Sequence, residues 1–224
     1  MKLADKKLGL QRFAALLVCA LSSGPGMAAT LEVRVLDAGG DPVPDVAVFA
    51  TRPGAESPAN SATEPAIMDQ RDTQFVPHVL VVQQDTLVNF PNSDVIAHHV
   101  YSFSKPNNFV LPLYKGVMPN PVKFEHDGIV TLGCNIHDHM LAYIVVVGTD
   151  IFGVTGSDGV VEIDVEDSAS GYDVSIWSAR IKDSKDPITQ HVDTEAGGEV
   201  TFSLQKKLRP QPDHQSESVE WSEY

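Results

Sequence analysis

The sequence predicts an all-β protein, on three observations. Short runs rich in Val, Ile, Phe and Tyr recur from residue 31 to residue 203. Gly, Pro, Asn, Asp and Ser separate most of them. Beyond the first 28 residues, no window carries an apolar stripe at helical spacing. Short strands at such intervals build sandwiches or barrels.

The opening residues stand apart. MKLADKKLGLQR holds Lys2, Lys6, Lys7 and Arg12 against Asp5, and FAALLVCALSS is apolar. GPGMAA then supplies small residues. This order is that of a secretory signal peptide, residues 1–28, with a cut near Ala28 or Ala29. The apolar run is shorter than the roughly 20 residues that cross a bilayer, so no stable membrane insertion is expected. The expected location is periplasmic or otherwise secreted.

Residues 31–36 (LEVRVL) alternate apolar and polar, the period of a half-buried strand. A turn of Gly, Asp and Pro follows, and Val46 to Ala50 reads as a second strand. Residues 51–66 carry almost no large apolar side chain and read as a linker. A denser β-pattern fills 67–150: FVPHVLVV, TLVNFPN, HHVYSF, KFEHDGIVTLGC and LAYIVVV. Within it, 104–121 holds Pro106, Pro112, Pro119 and Pro121 and reads as an irregular excursion. Residues 151–205 return to spaced strands, with a Ser-Asp-Gly turn and the alternating run GYDVSIW, where Trp177 is expected in the core of the outer sandwich that these strands make with 29–50. Residues 206–224 are polar and read as a disordered tail.

The 224 residues carry 16 Lys and Arg against 30 Asp and Glu, a formal charge of −14. Removing 1–28 takes away four bases and one acid. That leaves 12 against 29, or −17. No basic run remains to neutralise phosphates, so nucleic acid is not an expected partner. A protein partner with a basic docking patch suits the field of such a chain. Cys19 leaves with the signal, and Cys134 is then alone. A solitary thiol in an oxidising compartment is a liability unless it is buried, bridged between chains or bound to metal.

The neighbours of Cys134 favour metal. In GIVTLGCNIHDHMLAYIVVV a strand runs to Cys134, a short loop carries His137 and Met140, and a strand resumes. Upstream, FPNSDVIAHHVYSF sets His98 and His99 at the head of another strand. Thiolate and thioether are soft donors, and imidazole is intermediate. Together they suit one copper ion cycling between cuprous and cupric states. Adjacent strand residues face opposite sides, so only one of His98 and His99 can point at the loop. Parity alone does not choose. Asn135, beside the cysteine, is placed to hydrogen-bond near the metal.

These motifs resemble the cupredoxins, the blue-copper group that includes plastocyanin and amicyanin. The chain is most similar to secreted plastocyanin-like proteins of the methylamine-utilisation type. The resemblance covers about 67–148 and rests on Cys-x₂-His-x₂-Met, on the histidine-bearing strand head and on FVPHVLVV with DTLVNF. It implies a Greek-key sandwich with copper at one end. It also implies that His98, Cys134, His137 and Met140 are the ligands, with His99 where the family has Asn. Residues 29–50 with 151–205 resemble a small transthyretin-like or carboxypeptidase-regulatory-like sandwich, with the cupredoxin part inserted in it or joined to it.

The expected function is that of a type 1 copper protein carrying single electrons between redox partners, not an enzyme. The alternative is a copper-storing or copper-delivering protein. Only five Met, two of them in 1–28, argue against a thioether-rich store. There is no phosphate-cradling Gly loop, nucleophile elbow or HExxH.

Overall fold

The computed structural model describes residues 28–116, 120–166, 168, 170–182, 186–193 and 198–210. The proposed signal peptide, but for Ala28, and residues 211–224 of the proposed tail lie outside the described residues. Every element among the described residues is a strand.

Two sheets hold the chain's beginning and end. In the first, β1 (Ala28–Leu36) lies between antiparallel β14 (Val160–Glu166) and parallel β17 (Gly198–Ser203). In the second, β2 (Ala47–Thr51) lies between β13 (Phe152–Val154) and β15 (Tyr172–Trp177), and β15 also pairs with β16 (Ile188–Val192). Period-2 alternation sends Leu31, Val33 and Val35 into one core with Val48, Val174, Ile176 and Phe202. The Ser-Asp-Gly turn forms as its residues require. Gly159 has φ +69, and a Cβ there would stand 2.7 Å from Val35 O and 2.8 Å from Val43 N.

The middle of the chain makes two further sheets. The larger has the order β6 (Val79–Gln83), β12 (Leu141–Val147), β11 (Gly128–Gly133), β8 (His98–Phe103), β9 (Asn108–Tyr114). The smaller has β10 (Val122–Phe124), β7 (Thr86–Asn89) and β3 (Ala66–Ile67). Phe75, Val88, Phe90, Val100, Phe124, Leu132 and Ile144 form its core. Each such side chain, fully buried, contributes about 1.5–3 kcal/mol relative to exposure. A hairpin of β4 (Asp69–Arg71) and β5 (Gln74–Val76) lies beside these sheets.

A third core joins the two halves. Ala47 and Trp177 meet Val79, Val81, Val145 and Val147. LAYIVVV is therefore buried on both faces: Ala142, Ile144 and Val146 enter one core, Val145 and Val147 another. Such a strand reads as a continuous apolar run because neither face meets water.

Three expectations change. The stretch 104–121 is not wholly irregular, because β9 runs through it antiparallel to β8. Its register shifts between the partners of His98 and Val100, in the stretch that holds Pro112. A proline cannot donate to the ladder and is tolerated at such an irregularity. Trp177 is buried in the joining core, not in that of the chain's two ends. Residues 206–210 are held at Arg209, whose N–H donates to Arg180 O at 2.8 Å and whose carbonyl accepts from Arg180 Nε at 3.1 Å.

Candidate metal centre

The site stands at one end of the middle core, where three neighbouring strands begin or stop. β11 turns Val130 and Leu132 inward, and the same alternation buries Cys134 one step past the strand's end. β12 turns Ala142 and Ile144 inward, and one step before it Met140 is buried in the same core as Cys134. β8 turns Val100 and Ser102 inward, with His98 on that face at its head; all three are wholly buried. β8 and β11 pair through Tyr101 and Gly133, which brings the head of one beside the end of the other. Residues 134–140 form the bend between β11 and β12. Met140 N–H closes it by donating to His137 O at 3.0 Å.

His98 Nδ1 lies 3.0 Å from His137 Nδ1, and Cys134 Sγ lies 3.9 Å from that same nitrogen. One donor atom from each of His98, Cys134 and His137 falls within 4.8 Å of the others. Two nitrogens each about 2.0 Å from one ion stand about 3.3 Å apart at the tetrahedral angle, and a sulfur at about 2.3 Å stands roughly 3.7 Å from a nitrogen at a 120° angle. The observed spacings are close to both. This group could hold a metal ion.

The tautomer of His98 is set from behind. Its Nε2 lies 3.0 Å from Asp94 Oδ2, and an ionised carboxylate only accepts. The proton therefore sits on Nε2, and Nδ1 turns its lone pair to His137. A carboxylate behind a ligand imidazole orients the ring and raises its basicity. Asp94 is held in turn. It accepts Thr73 N–H at 2.8 Å and Val95 N–H at 2.7 Å. Burial pushes its carboxyl up, but the bonds from Thr73, His98 and Val95 outweigh burial and hold it below the ordinary value of 3.8. Asn92 shapes the loop: its side chain donates to Ile96 O and Tyr114 O and accepts Asp94 N–H. Partial burial is the main reason His137 lies below the ordinary 6.5, with His98 and His139 adding to it against Asp94. A neutral ring keeps the lone pair a metal needs.

The other residues near the site fall as follows. His99 faces away from His98, and its Nδ1 is buried with no hydrogen-bond partner. Asn135 is exposed. His139, exposed, meets Thr73. Asp94 was not foreseen. Its one signal in the sequence is a carboxylate four residues before His98 in a turn-rich stretch.

No protein-family model and no curated protein matches the chain. Among solved structures the chain is similar to a purple cupredoxin from Nitrosopumilus maritimus, at 18% identity and a TM-score of 0.33 over 37% of this chain and 99% of that one. It is similar to an amicyanin variant in its reduced Cu(I) form, at 20% identity and TM-score 0.35 over 44% of this chain and 99% of that one. It is also similar to a Cu-containing nitrite reductase from Thermus scotoductus, at 23% identity and TM-score 0.36, over 50% of this chain and 28% of that one. What the site can do follows from its donors.

Proposed function

We propose that this chain holds one copper ion at His98, Cys134, His137 and Met140 and carries single electrons between redox partners outside the cytoplasm. The observation that supports this is the group of two imidazole nitrogens and a thiol within 4.8 Å, with His98 and Cys134 buried and Met140 buried in the same core as Cys134. Copper bound to such donors supplies one-electron oxidation and reduction. The chain's own residues do the rest. Strands on both sides of the 134–140 bend keep the donors from moving when the charge changes. Burial of Cys134 and His98 keeps water from them. His137, only partly buried, is the edge through which an electron reaches a partner. The acidic surface favours a partner with a basic patch. No helix among the described residues is long and apolar enough to cross a membrane.

The separate cores support a division of the chain into 29–50 with 151–205 as one unit, and 67–150 as a second unit inserted in it. An electron carrier keeps its metal through repeated cycles, whereas a copper-delivering protein releases it.

The test is the visible spectrum after addition of cupric salt. The wild type should show an intense thiolate-to-copper band that bleaches and returns on reduction and reoxidation with the copper retained. Cys134→Ser should lack it. His98→Ala should lose it and His99→Ala keep it. A colourless wild type overturns the copper reading, and a coloured one that loses copper on the first reduction favours delivery.

A further inference from the structure

We propose that Thr73, at the tip of the β4–β5 hairpin, is a positioning residue that ties together the two ligand-bearing segments of the metal centre. The proposal rests on the copper reading above for its consequence, though not for its geometry.

The hairpin turns through Asp72 and Thr73, at φ 51 and 55. A two-residue turn with both φ values positive favours Asn-Gly or Asp-Gly. A β-branched residue at positive φ is strained, and such strain persists only where the surroundings over-determine it. Two contacts do so here. Thr73 N–H donates to Asp94 Oδ2, the oxygen that also accepts from His98 Nε2. The Thr73 hydroxyl gives its one proton to Asp72 O at 2.7 Å, so at 3.1 Å from His139 Nε2 it is the acceptor and His139 the donor.

The contacts close a circuit. From His98 it passes through Asp94 and Thr73 to His139, two residues along the bend from His137, and His137 returns to His98 across 3.0 Å. The 94–98 segment and the 134–140 bend also meet directly, at His98 and His137. Beneath the tip the hairpin is fastened to the residues just before the 94–98 segment. Gln70 N–H donates to Pro91 O, and Ser93 N–H to Gln70 O, each at 3.0 Å. A strap so anchored keeps the His137 bend from swinging outward. Glycine would relax the turn but leave His139 without its acceptor.

Two measurements test this. In the metal-free protein, ¹⁵N NMR of the His139 ring should show the Nε2-protonated tautomer in the wild type and in Thr73→Ser. In Thr73→Val and Thr73→Gly the ring should average over both tautomers. In the copper-loaded protein, release of copper to a chelator should be about tenfold faster in Thr73→Val and Thr73→Gly, and within about twofold of wild type in Thr73→Ser, the scale expected of a residue behind a ligand. Thr73→Gly separates positioning from stability: a turn residue of structural value alone would give a more stable protein with unchanged release. The same tautomer mixture in wild type and Thr73→Val, or equal release rates in all four proteins, overturns the proposal. A wild type without a thiolate band sinks the copper reading but leaves the NMR comparison standing.

Discussion

The core between the chain's two ends and the core of its middle follow one recipe for most of their length, and they part company at a single end. The first is apolar throughout, with Leu31, Val33, Val174, Ile176 and Phe202 at its heart. Its few polar groups turn to backbone. The Tyr172 hydroxyl donates to Glu166 O and accepts from Glu166 N–H, and Thr155 does the same with Val43 O and Val46 N–H. The middle core is filled likewise by Phe90, Phe124, Leu132 and Ile144. Then the inward positions at three strand ends pass to His98, Cys134 and Met140. His98 and Cys134 turn not to backbone but to His137, whose Nδ1 lies 3.0 Å from His98 Nδ1 and 3.9 Å from Cys134 Sγ. A folded sandwich needs no such group, and burying lone pairs without partners costs stability. The place where apolar filling stops is where chemistry is gained.

The largest expected effect separates the two cores. Ile176→Ala should lower unfolding free energy by about 2–5 kcal/mol, since a wholly buried side chain leaves a cavity. Copper affinity should stay within about twofold of wild type, because Ile176 belongs to the core of the chain's two ends and the site to the middle core. Urea unfolding beside a copper titration checks both, and a matching fall in affinity would erase the distinction between the cores. A smaller effect sharpens it from the other side. Asp94→Asn should weaken copper binding about 10–100-fold, because an amide orients the His98 ring less firmly than a carboxylate. A competition titration reads this, and unchanged affinity would remove Asp94 from the centre.

The smallest effect is one of pH. Burial pushes the Tyr114 phenol up to about 12, with Gln70 opposing and Asp69 adding. The unfolded chain gives up that proton near the ordinary 10. Between pH 10 and 12 the unfolded state therefore holds fewer protons, and stability falls as pH rises. Tyr114→Phe loses the bonds to Phe90 O and Gln70 and should be the less stable protein at pH 8. It should lack this alkaline slope, so urea midpoints of the two proteins should converge above pH 10. Parallel curves from pH 8 to 12 would place the phenol in water.

Much of this was legible in the chain. Period-2 alternation in LEVRVL and GYDVSIW marks strands whose faces are assigned by burial, and the Ser-Asp-Gly turn announces Gly159. The spacing Cys-x₂-His-x₂-Met brackets a bend between two strands because apolar alternation runs up to Cys134 and resumes from Met140. Less legible was β9, since Pro112 argues against a ladder that in fact shifts register around it. Phe103 shows how alternation misleads: it is 70% exposed, while Ser102 beside it is wholly buried. An apolar count would have chosen the face of Tyr101 and Phe103 as the interior, and with it His99.

The sequence by itself determined the all-β character, the strand that runs up to Cys134 and the bend that carries His137 and Met140, because these depend on local periodicity and on residues a few positions apart. Only the tertiary structure decided that His98 and not His99 faces the cysteine, that Asp94 stands behind it, that Thr73 reaches both Asp94 and His139 and that LAYIVVV has two buried faces. Each of those depends on which sheet covers which face. That is settled by the packing of strands far apart in the chain, which no local pattern encodes.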